Sequence, residues 1–357
     1  MKFQSLIRPV RENCQIASAA QAGHYSLCGL VLRLRALYKW EHGLPPWREP
    51  DPGAVLAWVE GRERHWETLE GRPWQSLAWD GASFDPFQVA ELNERLIPQG
   101  LAYGAGLARG LAPTFFLGEL TQVRRDGDIT ILVLDLELAR DLDGTPALCQ
   151  GTLIYARKQA LSFYLWDRFS DPTQQTNRFL KIALEAYSLP LGALLQNPDY
   201  YRAALDDILD AELEAVIHHE MGEALEPSLR TAFPFILEHF PQTRVEHWIR
   251  GLKDALAEVN EWGRLAYIIQ ARAWPSLAMM LALRPGLYSL LLPELEPAFW
   301  GLHATGHWEV LDEARQRTLV GLRQMADDLN LLLAAADIEP HGTLVEIERR
   351  FLAPLGL

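Results

Sequence analysis

Cysteine is scarce. The 357 residues hold three, Cys14, Cys28 and Cys149, and no C-x-x-C pair. So sparse and odd a set excludes a disulfide framework, and four thiolates for a metal cannot come from one chain. Long apolar runs are missing too. The longest, residues 273–292, is interrupted by Pro275, Arg284 and Pro285 and reads as buried helix pieces, so no membrane span is expected. Met1-Lys2-Phe3-Gln4 leads into no apolar h-region; no signal peptide is read, and a cytoplasmic location is expected. Positive charge is in deficit, with 33 Lys and Arg against 47 Asp and Glu and a net charge of −14. Basic residues form no patch: Arg124-Arg125 is followed at once by Asp126 and Asp128. Such a field repels phosphate backbones, so no nucleic-acid partner is expected.

What is present is a globular composition, 49% hydrophobic and 22% charged, with ample material for a core. The order of elements predicts an α+β fold, mainly helical, around a central four-stranded antiparallel β-meander. Residues 1–112 read as a helical region, with helices over 27–40, 53–70 and 88–96. Residues 113–170 change period, and strands are predicted over 115–123, 129–138, 148–155 and 161–166, with Asp126-Gly127 and Asp143-Gly144 as turns. Residues 171–357 return to the helical period. Asn197-Pro198-Asp199 reads as a helix start, and later helices are predicted over 243–262, 277–283 and 308–336. Along the second strand Asp135 and Glu137 share a face; they read as a wet strand end or as a cation site.

Two local features invite functional readings. Six of twelve tryptophans fall between Trp40 and Trp79, and they make either an aromatic platform for a protein partner or a packing layer. Four glycines lie between Gly100 and Gly110, a ligand-cradling loop or a packing device, without the spacing of a dinucleotide or P-loop fingerprint.

The segment 212–223 carries the most chemistry. On a helix, Glu212, His219 and Glu223 fall within the arc of Tyr201, Ala204, Leu205, Ile208, Ala215 and Val216, while His218 and Glu220 flank it. Leu209, Leu213 and Ile217 extend the apolar arc to one side. Carboxylates buried without partners cost several kcal/mol, so this face demands a positive companion. One candidate is a divalent metal, iron or zinc, held by Glu212, His219 and Glu223 with His218 or His307 assisting and Glu220 as general base. That arrangement points to hydrolase or oxidase chemistry. The other candidate is a structural network closed by arginines such as Arg264 or Arg272, in a non-catalytic interaction protein. Glu246, Asp254 and Glu258 are predicted to face water, because the wheel sets them away from Val245, Trp248, Leu252, Leu256 and Val259.

His219-Glu220 opens like H-E-x-x-H, but position 223 is Glu, so the two-histidine metalloprotease pair is absent. The Glu212–His219 spacing is similar to the first metal helix of heme-oxygenase-like di-iron proteins. That likeness implies an all-helical C-terminal part, two irons and oxygen activation. The segments 38–47, 100–106 and 218–223 together resemble an uncharacterised bacterial family from sulfur-metabolising and anaerobic lineages, a likeness that brings no activity or ligand with it.

Overall fold

Leu6, Val10, Cys14 and Ala17 recur at three- and four-residue intervals, which sets them on one face of a helix. Helix α1 (Gln4–Gln21) forms there and buries all four. It opens a computed structural model that describes residues 3–107, 112–284, 286–335 and 340–357. The chain divides into two compact units, Met1–Asp171 and Pro172–Leu357. In the first unit α2 (Leu27–Glu41) and α3 (Pro52–Glu67) follow α1, and the side chains of Ser26 and Asp51 cap their first turns. A ribbon of β1 (Leu77–Trp79) and β2 (Ala82–Phe84) leads to α4 (Val89–Leu96). Then come β3 (Leu101–Leu107), β4 (Pro113–Asp126), β5 (Ile129–Arg140), β6 (Ala147–Gln150), β7 (Leu153–Arg157) and α5 (Lys158–Ser170).

The main sheet has five strands in the order β3-β4-β5-β7-β6, curled into a half-barrel. It is mixed, because β5 and β7 pair in parallel while the other neighbours are antiparallel. Two local choices overturn the predicted four-stranded meander. First, residues 148–155 do not form one strand: Gly151, at φ +61°, turns the chain between β6 and β7, and β7 docks beside β5. Second, residues 161–166 lie within α5. Leu161, Phe163 and Leu165 alternate as in a strand, but the burial of Ala160, Trp166 and Phe169 with them follows the longer helix.

Alternation divides the sheet's faces. Leu101, Tyr103, Ala105, Phe115, Leu117 and Ala139 join the buried face of α1, whereas Ala102, Phe116, Leu132, Leu134 and Tyr155 make a separate cluster. The glycine-rich segment is β3 over its described part, a paired strand and not a loop; Ala108, Arg109 and Gly110 lie outside the described residues. A Cβ at Gly104 would stand 2.0 Å from the Phe116 ring, and one at Gly106 1.9 Å from Gln150 Nε2. Those glycines make room for neighbouring side chains. None of the six clustered tryptophans is exposed. Trp66 and Trp79 are buried, and Trp40, Trp58 and Trp74 pack against the same clusters. The wet strand end holds for Asp135 alone. Glu137 is buried, facing Arg140 at 3.3 Å and also Arg157.

The second unit is helical. Its helices are α6 (Arg178–Glu185), α7 (Leu191–Gln196), α8 (Arg202–Leu225), α9 (Ala232–His239) and α10 (Arg244–Val259). They continue with α11 (Arg264–Ala271), α12 (Trp274–Leu283), α13 (Gly286–Leu291), α14 (Leu295–Thr305), α15 (Glu309–Ala335) and α16 (Pro340–Ile347). The expected start at Asn197 moves to Arg202, because Asn197 ends α7 and residues 198–201 form a turn. Helix α10 is central and packs against α8, α9, α11, α13 and α15. Its start is capped by Thr243, whose hydroxyl accepts from the Glu246 N–H, while the Glu246 carboxylate accepts from the Gln242 N–H. Gly222 lets α8 cross α10 closely, since a Cβ there would lie 2.3 Å from the Ala257 carbonyl oxygen.

Candidate metal centre

Helix α8 buries Ile208, Leu209, Leu213, Ile217 and Met221. The core direction is thus rotated toward the Leu209–Leu213–Ile217 side of the predicted arc. Glu212 stays inside it, 6% exposed, and His219 and Glu223 are partly buried at its margin. Helix α10 then supplies the residues that periodicity assigned to water. Glu258 is 1% exposed and Asp254 is half-buried. The wheel fails here because α10 has neighbours on nearly all sides, so a polar face has no solvent to meet.

The imidazole of His219 is held between two carboxylates. Its Nε2 is 3.4 Å from Glu223 and its Nδ1 is 3.1 Å from Glu258. Glu258 also lies 3.4 Å from Arg264 Nε and accepts from the Tyr288 hydroxyl at 3.4 Å. Lys253, one turn before Ala257 on α10, donates to Glu223. Arg264 is therefore present, as the network reading required, and it neighbours Glu258. Arg272 ends α11 in a left-handed conformation.

Electrostatics follow from this crowding. Burial alone would lower the His219 pKa, but the Glu258 charge and the contacts to both carboxylates hold it well above the usual value. Burial raises the Glu223 carboxyl, yet the His219 and Lys253 contacts outweigh it and hold it far below the ordinary range. For two further acids the pull of His219 and Lys253 is too weak to offset burial. Burial first, then the Glu223 charge, pushes Glu220 up to about 7 and Asp254 up to about 6. Four carboxylates thus share Lys253, Arg264 and one imidazole, and the cluster is short of positive charge.

Among the described residues, one group brings three donor atoms of metal-ligating type within 4.8 Å of one another: His219, Glu223 and Asp254. Glu212, His218 and His307 are not part of it. The ring of His218 stacks on Tyr267 at 4.3 Å, on the α11 side. His307 is exposed, its ring Nδ1 3.9 Å from Glu309. Glu212 meets Ser276 and feels the Arg264 charge. Asp254 was missed from sequence because a single-helix wheel carries no information about the helix crossing it; the i, i+4 pair His219–Glu223 was the part that local spacing could reveal.

Glu212 yields a separate prediction. Burial lifts its carboxyl from 4.5 to about 7, against the opposing pull of Ser276 and Arg264. A carboxyl whose pKa is raised on folding stabilises the protein below its unfolded pKa, and that contribution is lost as pH rises through the folded value. Glu212 should therefore withdraw about 3 kcal/mol from the fold between roughly pH 4.5 and 7. Glu212→Gln is expected to gain stability over the parent at pH 8 and to match it near pH 5, as measured by urea denaturation. Equal stability of the two proteins at both pH values would contradict this.

No helix among the described residues is long and apolar enough to cross a membrane. Fold and site together define a two-unit α+β protein whose helical half holds a partly buried imidazole–carboxylate cluster. The chain belongs to a two-domain family of unknown function, DUF6866. The family's N-terminal domain matches residues 5–157 and its C-terminal domain residues 162–351. No curated protein and no solved structure matches it.

Proposed function

We propose that the C-terminal domain binds a divalent transition-metal ion, zinc or iron, through His219 Nε2, Glu223 and Asp254, in the service of hydrolytic chemistry. The observation that carries this reading is the convergence of those three donors from α8 and α10 in a cluster short of positive charge. Glu258 on Nδ1 takes the part of the outer carboxylate that orients a metal-bound imidazole. His219, Glu223 and Asp254 would hold such an ion, which would supply an activated water near neutral pH. Glu220, next to His219 in sequence, is the acid–base candidate. Lys253, which donates to Glu223 in the structure, would give up that contact to a bound ion.

A second reading is favoured by Lys253 on Glu223 and Arg264 beside Glu258: the cluster is a structural ion network in a non-catalytic protein. Metal content separates the two. Protein expressed with supplemented zinc or iron is expected to retain about one ion per chain. Asp254→Asn should lower the affinity by more than the roughly 10–100-fold typical of outer-shell changes. Lys253→Met, which removes the competing ammonium, should raise it. Parent protein without stoichiometric metal, together with a Lys253→Met variant that loses stability and gains no affinity, would leave the structural network as the answer.

A further inference from the structure

A pocket of about 180 Å³ lies beside the cluster, walled by the end of α8, the segment leading into α9, the start of α9, and α10. At ~30 Å³ per water it has room for about six waters, or for one small organic molecule. Leu229 and Leu256 are buried in its wall and Phe233 is half-buried there. Its charged residues differ in their commitments. Glu223 is met by Lys253 and His219. Glu226 accepts from Ser228 and Arg323. Arg230 is exposed in the same wall and makes no ion pair among the described residues.

We propose that this pocket binds a small organic monocarboxylate, with the carboxylate on the Arg230 guanidinium and the apolar body against Leu229, Phe233 and Leu256. A guanidinium fork matches one carboxylate in a bidentate pair. A dianion such as phosphate would face Glu223 and Glu226 with only one uncommitted cation to offset it. The apolar wall suits a hydrocarbon body and not a sugar. Arg230 is not a donor in the proposed metal site; Glu223 and Lys253 border both, so the two readings are tested separately by titrating with and without metal.

The test titrates the full-length protein with 4-fluorobenzoate, followed by fluorine NMR, before and after chelator treatment. Saturable binding is expected in both states. Arg230→Gln should weaken it by about tenfold or more, the loss of one charge-assisted pair. 4-Fluorobenzamide should bind correspondingly worse than 4-fluorobenzoate. Arg230 is exposed, so the variant's thermal unfolding should match the parent's and serves as the folding control. Binding that does not saturate, or that is equal in parent and variant, would overturn the proposal. Binding confined to the metal-loaded protein would also overturn it, by placing the carboxylate on the ion and not on Arg230.

Discussion

Glu258→Ala is expected to destabilise the C-terminal domain by about 3–5 kcal/mol, the cost of breaking a buried ion pair by removing one partner. Glu258 is 1% exposed and stands against His219 Nδ1 at 3.1 Å and Arg264 Nε at 3.4 Å. Alanine leaves an imidazole and a guanidinium side by side in a place where water reaches them poorly. It also leaves the Tyr288 hydroxyl without its acceptor. Glu258→Gln keeps that acceptor and the side-chain volume, and so should lose less than the alanine variant. If the metal reading holds, both variants also weaken metal binding by roughly 10–100-fold, because the imidazole loses the carboxylate that orients it. Equilibrium denaturation of the two variants measures the first effect. An alanine variant as stable as the parent would mean that Glu258 is not the anchor of this cluster.

The N-terminal unit contains a comparable device, and Glu137→Ala should cost about as much, ~3–5 kcal/mol. The Arg157 Nε donates to Glu137 at 2.7 Å, and Arg140 Nη1 is 3.3 Å away. Arg157 is 1% exposed and Arg140 5%. Some compensation survives the substitution, since Arg157 also donates to the Thr145 carbonyl at 3.0 Å and lies 4.2 Å from the Phe116 ring centroid. That does not replace the lost negative charge shared by two guanidiniums. Asp135, exposed two residues earlier on β5, is the internal control, and Asp135→Ala should stay within about 0.5 kcal/mol of the parent. Similar melting of the two variants would contradict the account.

The comparison between Asp135 and Glu137 also shows where reading the sequence ends. Strand alternation set both on one face, but the burial of Glu137 depends on Arg157, which β7 brings beside β5. Pairing of distant strands has no local signal. The same holds for the parallel β5–β7 contact, which followed from a turn at Gly151, inside the span 148–155 predicted as one strand. The long helices were legible because their apolar periodicity extends over many turns, as in α10 and α15; α5 was not, since Leu161, Phe163 and Leu165 also fit a strand's alternation. In the candidate site, the inward placement of Glu212, His219 and Glu223 was visible from one helix. Asp254 and Glu258 were hidden, because a helix enclosed by five neighbours has no reliable wet side. The glycines of β3 announced close approach, and their partners, Phe116 and Gln150, required the folded sheet.

The most direct test is anomalous diffraction from crystals grown with zinc, recorded on either side of the zinc absorption edge. The account predicts a single strong anomalous peak per chain, bounded by His219 Nε2, Glu223 and Asp254, with the Lys253 ammonium displaced from Glu223. A zinc-soaked crystal with no peak there, and with Lys253 still seated on Glu223, would contradict it.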